Sequence, residues 1–569
     1  MSETATMPSD YAACENEPIH VPGAIQPFGV LLAFDANTLM VRHASENSRE
    51  LFGSISHGAV PLGSTAAELL GPMAEAVLRD ALAKDGLTDH RPIAVSVPIA
   101  AAGRWHGVAH CLGGTVFVEL EIADEATSSP IDLLAAIRLS VGRLSAAATI
   151  AEFCATSARS VRSLTGYDRV MVYRFDAEYN GEVVAEARRE DLEPFLGLHY
   201  PSSDIPAQAR AMFLVNRIRV IPDAAATQIP IISDGDGRKG VPLDLSRCLL
   251  RSAAPVHREY LHNMGVRASL TTSLIIDGRL WGMIACHHVT PRRPGPAERE
   301  ACDLLAQVSS AHLAFLAEVE DRVHLKSLTE ALAGTAAKVG STTPPIAGLS
   351  KNEGDLLALV GAGGAVVWWS GRGLPIGQTP PEQSLPGLIK WIKGAATPLF
   401  VTDRLSQAYA PAKAFAEVAS GLLALEVSRD ADEYVLWFRP EVLQSVHWGG
   451  DPHGKSGADG RLSPRRSFSL WKETVRERSL PWRPAEVENA RRVKELLLSA
   501  AAVAVLRLEA LLPICAWCKK VRDEPGYWRG VEEFIEELVD VRFTHGVCPD
   551  CLQKQKAEFS AHLAKKTGT

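Results

Sequence analysis

Apolar and polar positions change period several times along the chain, and the changes divide it into α+β blocks separated by long helices. Between about residues 20 and 125, short apolar runs alternate with turn signals. Val30-Leu31-Leu32-Ala33-Phe34 is followed by Asp35-Ala36-Asn37, and 114–120 (GTVFVEL) reads as a strand. Residues 64–87 between them read as helical. A second block, about 140–305, has the same grammar: a helix over 150–164, a strand over 169–175, a long irregular stretch, then strands over 269–276 and 280–287. The irregular stretch is over-long for a plain connection, and long loops inside compact domains are usually functional. From Glu298 a long helix is predicted, with Leu305, Val308, His312, Phe315 and Val319 at three- and four-residue steps. That stripe fits packing on its own domain or pairing with a second subunit. A third α+β block runs to about 480. A second long helix, 484–512, carries Val493, Leu497, Ala500, Ala504, Leu508 and Leu511 on one side.

With 569 residues the chain is too long for one core and is expected to hold three to five units. The net charge of −8 is small for this length, and no long run of like charge stands out, which argues against a nucleic-acid arm or a polybasic membrane patch. The first eighteen residues are polar and acidic, without the basic and apolar regions of a signal peptide. The most apolar run, 496–506, is too short to span a bilayer. A cytoplasmic protein without membrane or nucleic-acid partners is expected. Ten cysteines are few for this length, and a reducing compartment keeps them as thiols. Cys111, Cys154, Cys248, Cys286 and Cys302 read as small buried residues, whereas Cys14 stands alone and four more stand in pairs near the end.

The most informative stretch is Tyr200-Pro201-Ser202-Ser203-Asp204-Ile205-Pro206. Two prolines bracket a polar patch, fix the backbone and aim Asp204. Taken alone it fits an N-capped turn before a helix over 207–213 equally well. Around it stand Tyr173-Arg174-Phe175, Arg219, Arg251, Pro255, His257, Tyr260-Leu261, Asn263-Met264-Gly265-Val266, Trp281-Gly282 and Ala285-Cys286-His287-His288. In this order the set resembles the bilin-binding region of bacterial phytochromes. Trp448-Gly449-Gly450-Asp451-Pro452 and Pro464-Arg465-Arg466-Ser467-Phe468 are similar to the two arms of that family's tongue.

The resemblance covers nearly the first 500 residues. It implies an α+β multidomain fold: a PAS domain over 19–128, a GAF domain over 140–305, a PHY domain over 320–500 with its tongue at about 445–475, and long signalling helices. It also implies an N-terminal figure-of-eight knot, an exception to un-knotted topology that no pattern predicts. The implied activity is non-enzymatic: red/far-red photoreception through an isomerising bilin, in a homodimer that signals to an unidentified downstream protein. Carried onto matching positions, Arg219 and Arg251 would hold the propionates, as two-pronged guanidinium pairing suits. Ser269 and Thr271 would add hydroxyl contacts. The Asp204 main chain would accept from pyrrole N–H groups while its carboxylate pairs with Arg465; Ile205 and Pro206 complete that motif. His257 would stack on the central rings near Tyr260, and His287 would donate to the terminal ring carbonyl. Tyr173, Tyr200 and Phe213 would line the slot in which that ring turns. Trp448, Pro464, Ser467 and Phe468 belong to the tongue. The position preceding His257, a bonding cysteine in plant-like and cyanobacterial relatives, is Val256, which forms no thioether. Cys14 precedes Ile19-His20-Val21-Pro22-Gly23-Ala24-Ile25-Gln26-Pro27-Phe28-Gly29, similar to the bacterial family's opening motif. The implied cofactor is therefore biliverdin IXα, held as a thioether at Cys14. Ala254 and Phe213 depart from the family's common Ser/Thr and Tyr, each removing a hydroxyl. The competing reading is a PAS/GAF scaffold sensing a small ligand or redox state.

Beyond residue 500 neither a phosphoacceptor helix nor a glycine-rich ATP lid is recognisable, so no kinase is expected. Instead Cys515-Ala516-Trp517-Cys518 and Cys548-Pro549-Asp550-Cys551, with His545 nearby, have the pairing of zinc knuckles. A small zinc-ribbon-like module over 513–569, with Gly526-Tyr527-Trp528 and a helix over 531–538 inserted, is expected to hold Zn²⁺ through Cys515, Cys518, Cys548 and Cys551. A redox dithiol pair or buried free cysteines remain the alternatives.

Overall fold

The structure is a computed structural model. It describes residues 17–84, 87–88, 93–97, 105–122, 130–234, 243–342, 344–351, 353–395, 397–442, 444–449, 470–509, 514–522, 528–531, 533, 547, 551–556 and 558. Cys14, Pro464, Arg465, Ser467, Phe468, His545 and Cys548 lie outside them, as does most of the helix expected over 531–538. The chain forms two compact units, one comprising 1–320 with 445–474, the other 321–444 with 475–569.

The first unit holds two sheets. Strands β1 (Ala24–Ile25), β2 (Gly29–Asp35), β3 (Val41–Ser45), β4 (Ile93–Val97), β5 (Trp105–Leu112) and β6 (Thr115–Ile122) build one of them. Its apolar face, with Val30, Leu32, Phe34, Val116, Val118 and Leu120, packs against helices Ala66–Leu70 and Pro72–Ala83. The sequence reads those helices as one. They are two because Gly71 sits at φ 90, where Pro72 restarts the helix.

The second sheet contains β7 (Arg169–Phe175), β8 (Gly181–Arg188), β9 (Leu198–Tyr200), β10 (Ile218–Ile221), β12 (Ala268–Ile276) and β13 (Arg279–His288), in the order β10-β12-β13-β7-β8-β9. Between β10 and β12 in sequence, β11 (Ile229–Ser233) leaves this sheet and joins the first one, pairing with both β1 and β3. The two sheets are thereby sewn together by the intervening chain. β19 (Gln444–Gly449) adds to the second sheet beside β9 in parallel, with Trp448 opposite His199, and β20 (Leu470–Val475) follows it. One face of the sheet packs on helix Ile150–Thr165 and the first turns of the long helix Pro296–Gly340, burying Val170, Val172, Leu270, Ile284 and Cys286.

On the long helix the buried apolar positions are Ala301, Cys302, Leu305, Ala306, Leu313 and Leu316 in its first half and Leu328, Ala331 and Val339 further on. Of the stripe read from sequence only Leu305 is buried, while Phe315 is 56% and Val319 39% exposed. The apolar surface of this helix is wider than one stripe, and small residues (Ala301, Ala306) let it approach its own sheet on the other side. In the second unit, strands β14 (Gly364–Trp369), β15 (Arg372–Gly377), β16 (Leu399–Thr402), β17 (Gly421–Ser428) and β18 (Glu433–Arg439) form a five-stranded antiparallel sheet. Helix Pro484–Glu509 buries Ala490, Val493 and Leu497 against one face, so the spacing of that stripe holds as far as the described side chains reach. Among the described residues no helix is long and apolar enough to cross a membrane.

Candidate functional site

The second sheet hides both faces, and the face turned away from the helical core is the floor of a cavity. Register explains who lines it. Tyr173 lies opposite Met283, Met171 opposite Ala285, and Arg169 opposite His287. His287 in turn faces Ser269 and Ala285 faces Thr271, with Arg219 beyond Thr271 on β10. Side chains two apart on a strand share a face, so Tyr173, His287, Ser269, Thr271 and Arg219 converge although scattered over 115 residues of sequence.

The roof comes from helices and turns. Pro201 and Pro206 flank a single 3₁₀ turn, Ser202–Asp204, and Arg210 closes it by donating to the Ile205 carbonyl at 2.6 Å and the Ser202 carbonyl at 3.3 Å. Asp204 Oδ2 accepts the Tyr260 hydroxyl at 3.3 Å. Tyr260 stands on helix Pro255–Asn263, one turn from His257, with the two rings nearly parallel (11°) and their centroids 6.4 Å apart. Tyr173 and Tyr200 meet at 5.9 Å with a 42° tilt. Gly181, on the strand beside Tyr173, leaves room for that ring: a Cβ there would stand 1.8 Å from Tyr173 Cζ.

All thirteen positions read as pigment contacts from sequence line this one cavity of ≈ 270 Å³: Tyr173, Tyr200, Asp204, Ile205, Pro206, Phe213, Arg219, Arg251, His257, Tyr260, Ser269, Thr271 and His287. The volume is near the lower end, roughly 300 Å³, for pockets that take small ligands. Val256 and Ala254 line it too. Sequence reading missed Met171, Phe195, Met212, Met264 and Met283, and also Glu17 and Ile19 from the N-terminal segment. Met171 and Met283 were findable, being on the face of Tyr173 and His287. No local signal brings Glu17 to a pocket two hundred residues away.

The electrostatics are asymmetric. No carboxylate pairs with Arg219 or Arg251 among the described residues. Arg219 donates weakly to the Leu249 carbonyl at 3.4 Å, Arg251 donates to the Ile19 carbonyl at 2.7 Å, and the buried Arg251 Nε has no partner. Burial pulls both guanidiniums below their ordinary range, Arg219 further because Arg251 repels it. Buried cations without counter-ions are costly, and this pair is built to receive anions. The histidines are neutral. Burial, then the charge of Arg219, lowers His257 to about 4, and burial, then Arg169 and His257, lowers His287 to about 3. His257 is an exposed residue by its accessible surface and lines the cavity. His287 Nδ1 is buried without a partner and is free to bond a ligand. These residues suit a mostly apolar ligand that carries anionic groups for the arginines and a polar group for His287.

Near the C-terminus, Cys515 accepts backbone N–H bonds from Cys518 and Trp517, which hold its thiol below the ordinary value. Lys519 turns back at φ 60, and the Cys515 and Lys520 main chains bond at 2.8 Å. Cys518 and Cys551 are exposed. Among the described residues no group of three ligating side chains converges on a metal site.

Three family models match the chain: "PAS fold" over residues 14–123, "GAF domain" over 149–315 and "Phytochrome region" over 327–504. Cyanobacterial phytochrome B of Nostoc sp. is 37% identical over 86% of this chain and 66% of its own length, so the chain spans just under two thirds of that relative. The bacteriophytochrome of Xanthomonas campestris pv. campestris is 35% identical over 87% of this chain and 79% of its own. Two solved structures superpose well. The photosensory core module of a Stigmatella aurantiaca phytochrome has a TM-score of 0.73 at 40% identity, covering 87% of this chain and 98% of that one. A bacteriophytochrome of R. palustris has a TM-score of 0.75 at 36% identity, covering 88% and 100%.

Proposed function

Because the chain belongs to the phytochrome family, we propose that it is a red/far-red photoreceptor holding biliverdin IXα in the cavity described above. The observation that carries this reading is the cavity's lining: two guanidiniums that no carboxylate pairs among the described residues, a neutral histidine with an unpartnered ring nitrogen, and apolar and aromatic walls. A bound bilin supplies visible-light absorption and a double bond whose isomerisation starts the signal. The chain's own residues do the rest. Arg219 and Arg251 anchor carboxylates, with Ser269 and Thr271 beside them. The Tyr173–Tyr200 pair and Phe213 shape the slot, His287 presents a neutral ring nitrogen, and His257 with Tyr260 and Asp204 forms a hydrogen-bonding flank. The PAS, GAF and PHY divisions read from sequence follow the same family reading.

Attachment at Cys14 is supported by reach. Glu17 lines the cavity, and three residues of chain extend at most about 11 Å. Val256 leaves no thiol at the alternative position. A Cys14→Ala variant should retain pigment yet lose zinc-induced fluorescence of its band on a denaturing gel; a persisting band would reject Cys14. The backbone of β19 beside β9 supports a tongue role for 445–475, and the family resemblance implies Arg465, outside the described residues, as the partner of Asp204. Homodimerisation is supported by the exposed Phe315 and Val319 and by Ile131 and Leu134, 78% and 67% exposed, on helix Pro130–Ser145. Zinc binding by Cys515, Cys518, Cys548 and Cys551 is supported by the knuckle-like turn at Cys515, and metal analysis of the full chain should find about one zinc per chain. A trace far below one, unchanged by Cys515→Ser, would reject it. The test of the photoreceptor itself is co-expression with a biliverdin-producing haem oxygenase, followed by difference spectra after red and far-red light.

A further inference from the structure

Strand β6 contains two carboxylates that alternation assigns to solvent, Glu119 and Glu121, yet they are 6% and 4% exposed. They point from the first sheet toward the chain that carries Leu245, Cys248 and Leu250. Glu121 is explained by Arg299, which grips it at 2.6 and 3.0 Å. Glu119 has no such cation in contact. Its two oxygens accept the backbone N–H groups of Leu249 at 3.1 Å and Leu250 at 2.6 Å. The next residue is Arg251, and Arg219 donates to the Leu249 carbonyl. The opposite edge of the same segment is tied down by the N-terminal strand: Gln26 N–H to the Leu250 carbonyl at 2.8 Å, and Gln26 Nε2 to the Arg251 carbonyl at 3.1 Å. The segment that bears Arg251, and whose Leu249 carbonyl accepts from Arg219, is thus clamped on both sides by residues outside the second sheet's own domain.

We propose that Glu119 is a positioning residue for the anionic arms of the ligand: from behind the cavity wall it fixes segment 249–251, and its carboxyl takes up a solvent proton when carboxylates bind in front of the arginines. This deepens, and rests on, the pigment reading. The groups facing Glu119 are Glu121 on its own strand, Arg299 on the long helix, His110 on β5, Cys248 in the segment and Arg219 across it. Burial, with Glu121 adding repulsion, lifts the Glu119 carboxyl to about 7 against its two N–H donors. Two ligand carboxylates nearby add negative charge and lift it further. By linkage, binding then absorbs a proton, and a dicarboxylate ligand binds more weakly as pH rises from 6 to 8. His257 and His287 are neutral throughout that window.

The test measures equilibrium affinities of biliverdin and of biliverdin dimethyl ester for the full-length Cys14→Ala protein between pH 6 and 8. Proton changes on the pyrrole nitrogens are common to both ligands, so the ratio of affinities isolates the carboxylates. The preference for the free acid should fall about three- to tenfold across the range, and a Glu119→Gln substitution in the same background should flatten it. A flat ratio in the parent, or an undiminished slope in the Gln variant, overturns the proposal. The parent profile decides alone if the Gln variant fails to fold. Binding of neither ligand sinks the pigment reading and this inference together, whereas binding of both with a flat ratio sinks this inference only.

Discussion

His257 and His287 both line the cavity and titrate below a solvated histidine. Their folded-state values of about 4 and about 3 lie below the ordinary histidine value of 6.5. Between 6.5 and those values the unfolded chain binds protons that the folded chain refuses, so stability falls as pH falls through that window. Urea unfolding of the pigment-free protein should show this loss between pH 6.5 and 4, and His257→Gln and His287→Gln should each reduce it; an unchanged pH slope in both would mean the rings are already solvated. Gly181 gives a steric counterpart. A Gly181→Ala methyl overlaps the Tyr173 ring, and overpacking of this kind costs about 1–3 kcal/mol. Lowered pigment yield with a displaced absorption maximum is expected, measured against wild type at equal apoprotein; an unaltered spectrum would show that the ring has room to move. At this scale the site residues were reached in the sequence because the order of their motifs resembled a known family; the strand register then shows why several of them share a face. Glu119 was not legible. Alternation along β6 reads Glu119 as solvent-facing, and only the packing of the 245–251 segment on that face explains why no solvent is there.

Elements are held by a few buried polar contacts as well as by apolar faces. In the second unit, Glu486 at the start of helix Pro484–Glu509 meets Arg439 at 2.9 Å and His324 at 3.4 Å, and Asn489 donates to the carbonyls of Leu328 and Leu359 at 3.2 Å each. Arg439 also lies 4.0 Å over the Trp482 ring. Removing one partner of a buried ion pair leaves an uncompensated charge, so Glu486→Gln should destabilise the protein by about 3–5 kcal/mol, and Asn489→Leu by about 1–3 kcal/mol. Urea midpoints at fixed pH check both, and a Glu486→Gln loss below that of an exposed pair would contradict the clamp. Helix 484–509 itself was readable, since Val493 and Leu497 keep a helical period onto the sheet. The split at Gly71 and the turning of the long helix's buried face were not. The first depends on one glycine adopting a positive φ, the second on small residues that carry little weight in an apolar pattern.

For the whole molecule, the exposed apolar residues on helix Pro130–Ser145 and on the Phe315–Val319 side of the long helix fit a subunit interface. Leu134→Glu with Phe315→Glu should convert a dimer to a monomer in light-scattering chromatography, and a dimer that survives both would place the interface elsewhere. The division into α+β blocks and long helices was legible from changes of period, and their PAS, GAF and PHY character from the resemblance, but the exchange of β11 between sheets was not, because pairing across two hundred residues leaves no local trace. The central claim, that the cavity holds a photoisomerising bilin, is tested most directly by the red-minus-far-red difference spectrum of the protein co-expressed with haem oxygenase. A reversible pair of bands, repeating over successive light cycles, is the predicted result; a spectrum that does not change with illumination, in protein that folds and carries the intact cavity, would contradict it.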